Sequence, residues 1–276
     1  MISAIFLKKV KRYFYSSFRF FLSNKNQINL IVNSIPKSGT YFLHQILSNV
    51  SFIKDYGLFT ASRPTLSYKK RNDEKIKNML NILYKDEFVL GHIEFSEAIS
   101  NFFNKKKFLH ILLIRDPRDI VISESYYLTH SNYFHKLHKY FKKLPNDSER
   151  INFAIHGNNY LKNCDLDFPS ISKRYSLFID WTKNSECYIL KYEDLISANS
   201  EEIIKNLLIF LSKSFSVDIN IKNEVNNIKN SLDNDKKPHT FRHGKSGLWK
   251  KILNKKQKEW FKREMSDVLK RFNYDL

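Results

Sequence analysis

The apolar run Ile28–Val32 leads through Ile35-Pro36-Lys37-Ser38-Gly39-Thr40 into the helix-like stretch Tyr41–Val50. A strand-like run that turns through lysine, small hydroxyl residues and glycine into a helix constrains this chain more than any other segment. The amides of such a loop converge on one point, and the helix that follows adds the positive end of its dipole, so the arrangement suits a phosphate. The residue order is not that of a Walker A loop, where glycine immediately precedes the lysine. Here Pro36 precedes Lys37 and Gly39 comes two residues after it, an inversion that points away from ATP and GTP.

Short apolar runs recur along the chain with helical stretches between them. Ile28–Asn33, Phe88–Gly91, Phe108–Ile114 and Cys187–Lys191 read as strands. Gly39–Asn49, Asp119–Thr129, Ile171–Thr182, Ser200–Leu211, Lys222–Leu232 and Lys255–Phe272 read as helices. This rhythm predicts an α/β fold with a central parallel β-sheet flanked by helices on both faces. The 276 residues show no internal repeat and no Gly/Ser linker, so one domain over residues 28–276 is the simplest division. Tyr133–Gly157 is polar, rich in His and Lys and poorly periodic, and reads as a surface loop or lid of the kind that sets acceptor specificity.

Residues 1–27 form a basic amphipathic segment. On a helix, Leu7, Val10, Phe14, Phe18 and Phe21 share one stripe and Lys8, Arg12, Ser16, Arg19 and Ser23 another. The interspersed cations exclude a membrane span or signal-peptide core there. Packing on the domain is the preferred reading, with peripheral contact to an anionic membrane as its rival. Net charge is +19, and no acidic residue occurs before Asp55. Such a surface attracts nucleic acid, anionic membranes or anionic small molecules, and charge alone does not choose among them. Cys164 and Cys187 show neither metal spacing nor a disulfide framework and read as thiols of a reducing, cytoplasmic compartment.

Three further clusters carry chemistry. Arg115-Asp116-Pro117-Arg118-Asp119 ends a strand-like run, with Ser123 following. Asp116 suits an N-cap, Pro117 the first helical position and Asp119 the return contact of a capping box. Arg115 has no such local role; at the carboxyl end of a strand it faces the ligand crevice of an open α/β sheet, with a planar fork that fits phosphate. Arg242-His243-Gly244-Lys245-Ser246-Gly247-Leu248-Trp249-Lys250 places two glycines among basic residues, consistent with backbone wrapped round an anion. In Gly91-His92-Ile93-Glu94, His92 and Glu94 point to one side of an extended backbone, a histidine with a nearby carboxylate that can serve as a general base.

Together, and in this order, Pro36–Thr40, Arg115–Ser123, Tyr192-Glu193-Asp194-Leu195 and Arg242–Lys250 resemble the sulfotransferases that use 3′-phosphoadenosine 5′-phosphosulfate, the cytosolic-type family and its bacterial relatives. The resemblance covers roughly Asn29 to Asn273. It implies a P-loop-like three-layer fold, sulfuryl transfer to an acceptor hydroxyl, that nucleotide as co-substrate and no metal. Lys37, Ser38, Gly39 and Thr40 correspond to the loop that binds the 5′-phosphosulfate, with Lys37 on the oxygen bridging phosphorus and sulfur. Arg115 and Ser123 correspond to ligands of the 3′-phosphate, joined there by Arg242, His243 and Gly244. Phe42 and Tyr192 correspond to adenine contacts, and His92 to the base that takes the acceptor proton, with Glu94 as its orienting partner or its substitute. His243 stands where the family has lysine, Leu248 where it has an acidic residue, and Leu232 near a common aromatic position. The dimerisation pattern of many animal members is not evident near Lys251, so no dimer is inferred. A nucleotide-binding member without catalysis and a basic nucleic-acid-binding protein are the alternatives; nucleic acid is not the expected partner. The acceptor, with a glycan or lipid-linked sugar slightly favoured on steering grounds, is not legible.

Overall fold

Alternation along the inner strands builds the architecture. The computed structural model describes residues 29–83, 86–161, 164–183, 187–234 and 245–275. Leu30 and Val32 of β1 (Leu30–Ser34), Phe88 and Leu90 of β3 (Glu87–His92), and Ile111 and Leu113 of β4 (Leu109–Ile114) are buried on one face of the sheet. They pack there with Leu43, Ile46 and Leu47 of helix Thr40–Ser48 and with Leu207, Leu208 and Leu211 of helix Ser200–Phe215. The intervening residues Ile31, Val89, Leu112 and Ile114 enter a second core on the other face, with Phe103, Ile120, Val121, Tyr175 and Trp181. Strand side chains point alternately to opposite faces, so covering both faces turns these strands into continuous apolar runs. The expected α/β fold, three layers around a parallel sheet, is what forms.

The sheet order is β2-β3-β1-β4-β5, all neighbours parallel, with β2 at Lys54–Ala61 and β5 at Cys187–Lys191. β1 lies between β3 and β4, so its carboxyl end opens where the chain leaves in both directions across the sheet, the usual place for a ligand crevice.

Several elements differ from expectation. β2 was not anticipated because Lys54, Asp55 and Gly57 interrupt any apolar run, and an edge strand can tolerate them; its pairing with β3 also shifts register between Asp55 and Phe59. Helices Asp73–Leu80 and Glu97–Lys106 were also missed, each N-capped by a side chain, Asn72 and Ser96. The expected lid at Tyr133–Gly157 is largely helical instead: His138–Lys143 and Asp147–His156 bury Phe141, Ile151, Phe153, Ala154 and Ile155. Its charged residues conceal a short apolar stripe that only packing reveals. The span Lys255–Phe272 is two helices, Lys255–Glu264 and Ser266–Arg271, broken at the buried Met265. The segment 1–27 falls outside the described residues, and no described helix is long and apolar enough to cross a membrane.

Candidate active site

The carboxyl ends of all five strands feed one cavity of about 450 Å³. Lys37, Gly39, Thr40 and Phe42 line it from the turn after β1, Phe59 and Arg63 from β2 and its exit, and His92 and Glu94 from β3. Arg115 and Ser123 join them after β4, and Tyr192 after β5. Ser38 lies within the same turn, fully buried, with its hydroxyl unpartnered among the described residues. Arg242, His243 and Gly244 lie outside the described residues, but the next residue, Lys245, reaches the cavity wall.

The turn after β1 is held in a conformation few sequences allow. Lys37 adopts φ 71° and Gly39 φ 95°, both left-handed. Gly39 has a second reason to lack a side chain, since a Cβ there would come within 2.6 Å of Tyr192 Cε2 and nearer still to Cδ2. The glycine thus lets the ring close over the loop. Thr40 Oγ1 lies 2.7 Å from Ser34 Oγ, tying the first helical residue back to the strand. The Lys37 ammonium sits 3.6 Å above the Tyr127 ring. Burial lowers its pKa to about 8, with Glu124 pushing it up and Arg115 down. At neutral pH it remains a cation with little water round it, a strong point for an incoming anion.

Arg115 is fixed from several sides. It donates to the carbonyls of Lys37 (3.1 Å) and Lys245 (3.2 Å), and its guanidinium stacks 4.4 Å from the Tyr192 ring. Its Nε is buried and has no acceptor among the described residues. Glu193 holds the turn that precedes the next helix, accepting from Asp116 N–H at 3.0 Å and from Tyr274 Oη at 3.2 Å. Asp116 caps helix Pro117–Tyr126 as expected, accepting from Arg118 N–H at 2.9 Å. The expected capping box does not form. Asp119, buried, turns away from the helix start and accepts from the amides of Gly247 (2.6 Å) and Trp249 (3.0 Å), which anchors the C-terminal basic segment beside the cavity. That contact joins residues 128 and more positions apart, so no local motif signals it.

His92 Nδ1 lies 2.7 Å from the Ser34 carbonyl. A carbonyl only accepts, so Nδ1 carries the proton and Nε2 is left as the basic nitrogen. Asn33 fixes the exit of β3 by donating to Ile93 O (2.9 Å) and accepting from Ile93 N–H (2.8 Å). Burial holds the His92 pKa down at about 4, opposed by the bond to Ser34 and assisted by the Lys37 charge. The ring is therefore neutral at physiological pH. Glu94 does not orient it. Its carboxylate is engaged by Arg63 Nε at 2.7 Å and Lys70 Nζ at 3.3 Å, and Ser34 takes the orienting role that sequence reasoning gave to Glu94. The register Asn33↔Gly91 brings Ser34 beside His92, a juxtaposition that exists only once β1 and β3 pair.

Beyond His92 the wall combines Thr65, Tyr68, His135, Leu177 and Phe178 with the buried pair Arg174–Glu124, both carboxylate oxygens 2.7 Å from Arg174 Nη1. Of these only His135 lies in a stretch the sequence marked, the His- and Lys-rich segment Tyr133–Gly157; none of the others carried a signal of a site. Among the described residues, no group of three His, Cys, Asp or Glu is placed to hold a metal ion.

Fold and cavity define a parallel α/β protein with a cation-lined crevice at the carboxyl end of its sheet. The chain belongs to the sulfotransferase domain family, whose model matches residues 27–273, and is thus an enzyme of the sulfuryl-transferring class. No curated protein matches by sequence. Among solved structures it is similar to mouse sulfotransferase SULT7A1 complexed with PAP, at 15% identity and TM-score 0.59, covering 90% of this chain and 86% of that one. It is also similar to retinol dehydratase in complex with androsterone and inactive cofactor PAP, at 14% identity and TM-score 0.56, covering 90% and 82%. Retinol dehydratase in a complex with retinol and PAP matches at 13% identity and TM-score 0.57, covering 94% and 85%.

Proposed function

We propose that this chain transfers a sulfuryl group from 3′-phosphoadenosine 5′-phosphosulfate to an acceptor hydroxyl, with Lys37 at the leaving oxygen and His92 as general base. The observation that carries the reading is the single cavity lined at once by Lys37, Gly39, Thr40, Arg115, Ser123 and Tyr192, with His92 on the same wall system. Arg115 Nε and the Ser38 hydroxyl, without partners among the described residues, are buried donors of the kind an anionic ligand satisfies. The PAP in the complexes of the structural neighbours fits the same class of ligand.

The donor supplies an electrophilic sulfuryl group whose leaving group is the nucleotide 5′-phosphate. The acceptor oxygen forms the new S–O bond as its proton passes to His92 Nε2. The electron pair of the broken S–O bond stays on the phosphate oxygen, where the Lys37 ammonium holds the charge. Such chemistry needs positioning and charge stabilisation more than covalent help from the protein. Arg115 and Ser123 hold the 3′-phosphate, with Arg242, His243 and Gly244; Phe42 and Tyr192 flank the adenine. Anion binding beside Lys37 offsets the charge that depresses His92, so the base strengthens when the donor is in place.

Incubation with radiolabelled donor and a panel of alcohols, phenols and sugars tests the reaction, and acceptor-dependent label transfer is the expected result. Donor binding without transfer to any acceptor would favour the non-catalytic reading. Arg115→Ala is expected to weaken adenosine 3′,5′-bisphosphate, measured by calorimetry, with little change for a nucleotide lacking the 3′-phosphate. Equal losses for the two reject the assignment of Arg115.

A further inference from the structure

The two loops that border the acceptor end of the cavity carry apolar side chains pointed at solvent. Leu66 is 72% exposed in one, and Tyr133 and Phe134 are 64% and 79% exposed in the other. These same loops place Thr65, Tyr68 and His135 on the cavity wall. They lie side by side: Lys136 N–H donates to Thr65 O at 3.0 Å, and the rings of Tyr68 and His135 are 5.5 Å apart. The exposed apolar tips therefore belong to the mouth of the cavity.

Within the two loops and their flanks the charged side chains are all cations. Residues 64–72 and 125–146 contain Lys69, Lys70, Arg71, Lys136, Lys139, Lys142 and Lys143 and not one Asp or Glu. Lys70 and Lys139 face carboxylates from elsewhere, Glu94 and Asp165, at 3.3 and 4.0 Å. A soluble anionic polymer would use the cations but would leave Leu66 and Phe134 in water. An anionic bilayer uses both, since interfacial burial of apolar tips and attraction of lysines to headgroups add together.

We propose that this rim docks the enzyme on an anionic lipid surface, with Leu66, Tyr133 and Phe134 entering the interfacial layer and the lysines meeting the headgroups. The cavity then opens toward the membrane, and the acceptors it receives are hydroxyl-bearing amphiphiles presented there. The rim residues belong to chain segments other than 1–27, and docking itself does not depend on the sulfuryl-transfer reading.

Co-sedimentation of the full chain with phosphatidylcholine vesicles, with and without phosphatidylserine, tests this. The wild type is expected to partition onto the anionic vesicles. Leu66→Ser combined with Phe134→Ser should lower that partition at least about tenfold, as removal of two buried apolar tips implies. Lys69→Glu with Lys136→Glu should do the same. Calorimetry with adenosine 3′,5′-bisphosphate should give unchanged binding in both variants, showing that fold and donor pocket are intact. A Leu66→Ser/Phe134→Ser variant that partitions like wild type overturns the proposal. So does a wild type that ignores anionic vesicles, or one that binds heparin and vesicles alike with no dependence on the apolar tips. Failure of the nucleotide to bind the wild type would instead strike at the proposed function, leaving the docking result standing.

Discussion

Replacing Gly39 by alanine should disable the cavity through one crowded contact. The new Cβ would lie within 2.6 Å of Tyr192 Cδ2 and Cε2, along one edge of that ring, so the ring itself must shift. Tyr192 is buried and stacks against Arg115 on the cavity wall, so any movement of the ring disturbs that stacking. A left-handed alanine costs about 1 kcal/mol, and overpacking of this kind about 1–3 kcal/mol. The sum is about 2–4 kcal/mol, which for a chain of this size lowers Tm by about 5–15 °C. Because the strain is relieved by pushing Tyr192 and Arg115 aside, affinity for adenosine 3′,5′-bisphosphate should fall by about tenfold or more. Differential scanning calorimetry and nucleotide titration measure the two effects. In a Tyr192→Ala background only the backbone part remains, so the same substitution should cost about 1 kcal/mol, a coupling of about 1–3 kcal/mol between the sites. Strictly additive single and double variants, or a Gly39→Ala protein with wild-type melting and affinity, would refute the argument.

His92→Ala should lower turnover by about 10²–10⁴-fold while donor affinity stays near wild type; near-normal turnover would return the base to Glu94. Nucleotide affinity should fall as pH rises through about 8, where the Lys37 ammonium loses its proton. Lys37→Arg, which stays charged, should flatten that profile in a titration series, and an identical decline in both proteins would locate it elsewhere. His110 sits between Phe103 and Trp181 with neither ring nitrogen hydrogen-bonded among the described residues, and burial holds its pKa at about 3. Unfolded, it protonates near 6.5, so the unfolded chain takes up the extra proton and stability is lost as pH drops below that value, by about 2 kcal/mol at pH 5. His92 and His135, also held low by burial, steepen the same slope. Urea unfolding at pH 7 and pH 5 should therefore show a smaller loss for His110→Leu than for wild type, and equal losses would show that His110 does not contribute.

The elements that were legible are those whose character is local. β1, β3 and β4 announce themselves because strands covered on both faces are largely apolar, β5 because the edge run Tyr188-Ile189-Leu190 is apolar even with Ile189 exposed, and the Asp116 N-cap with Pro117 is written in adjacent residues. β2 escaped because an edge strand pairs on one side only and tolerates Lys54 and Asp55. Helix Asp147–His156 escaped because its buried stripe is short beside its charged residues. In the cavity, Lys37, Arg115, His92 and Tyr192 were visible as strand-end residues in recognisable clusters, whereas Tyr127 and Arg174 became neighbours of the cavity only through helix packing and His135 only through its loop's contact with Thr65.

Residue order alone therefore determined a parallel α/β layering and an anion-receiving turn, because apolar periodicity and the Lys-Ser-Gly-Thr turn act over a few residues. It named the histidine but not its state. That state, proton on Nδ1 and Nε2 open, depends on the Ser34 carbonyl carried alongside by the neighbouring strand. The engagement of Glu94 by Arg63, and of Asp119 by the amides of Gly247 and Trp249, likewise came from contacts across 31 and more than 100 positions of chain. Charge pairing and hydrogen bonding act over a few ångströms of space whatever the separation in sequence, and only the folded chain sets that distance.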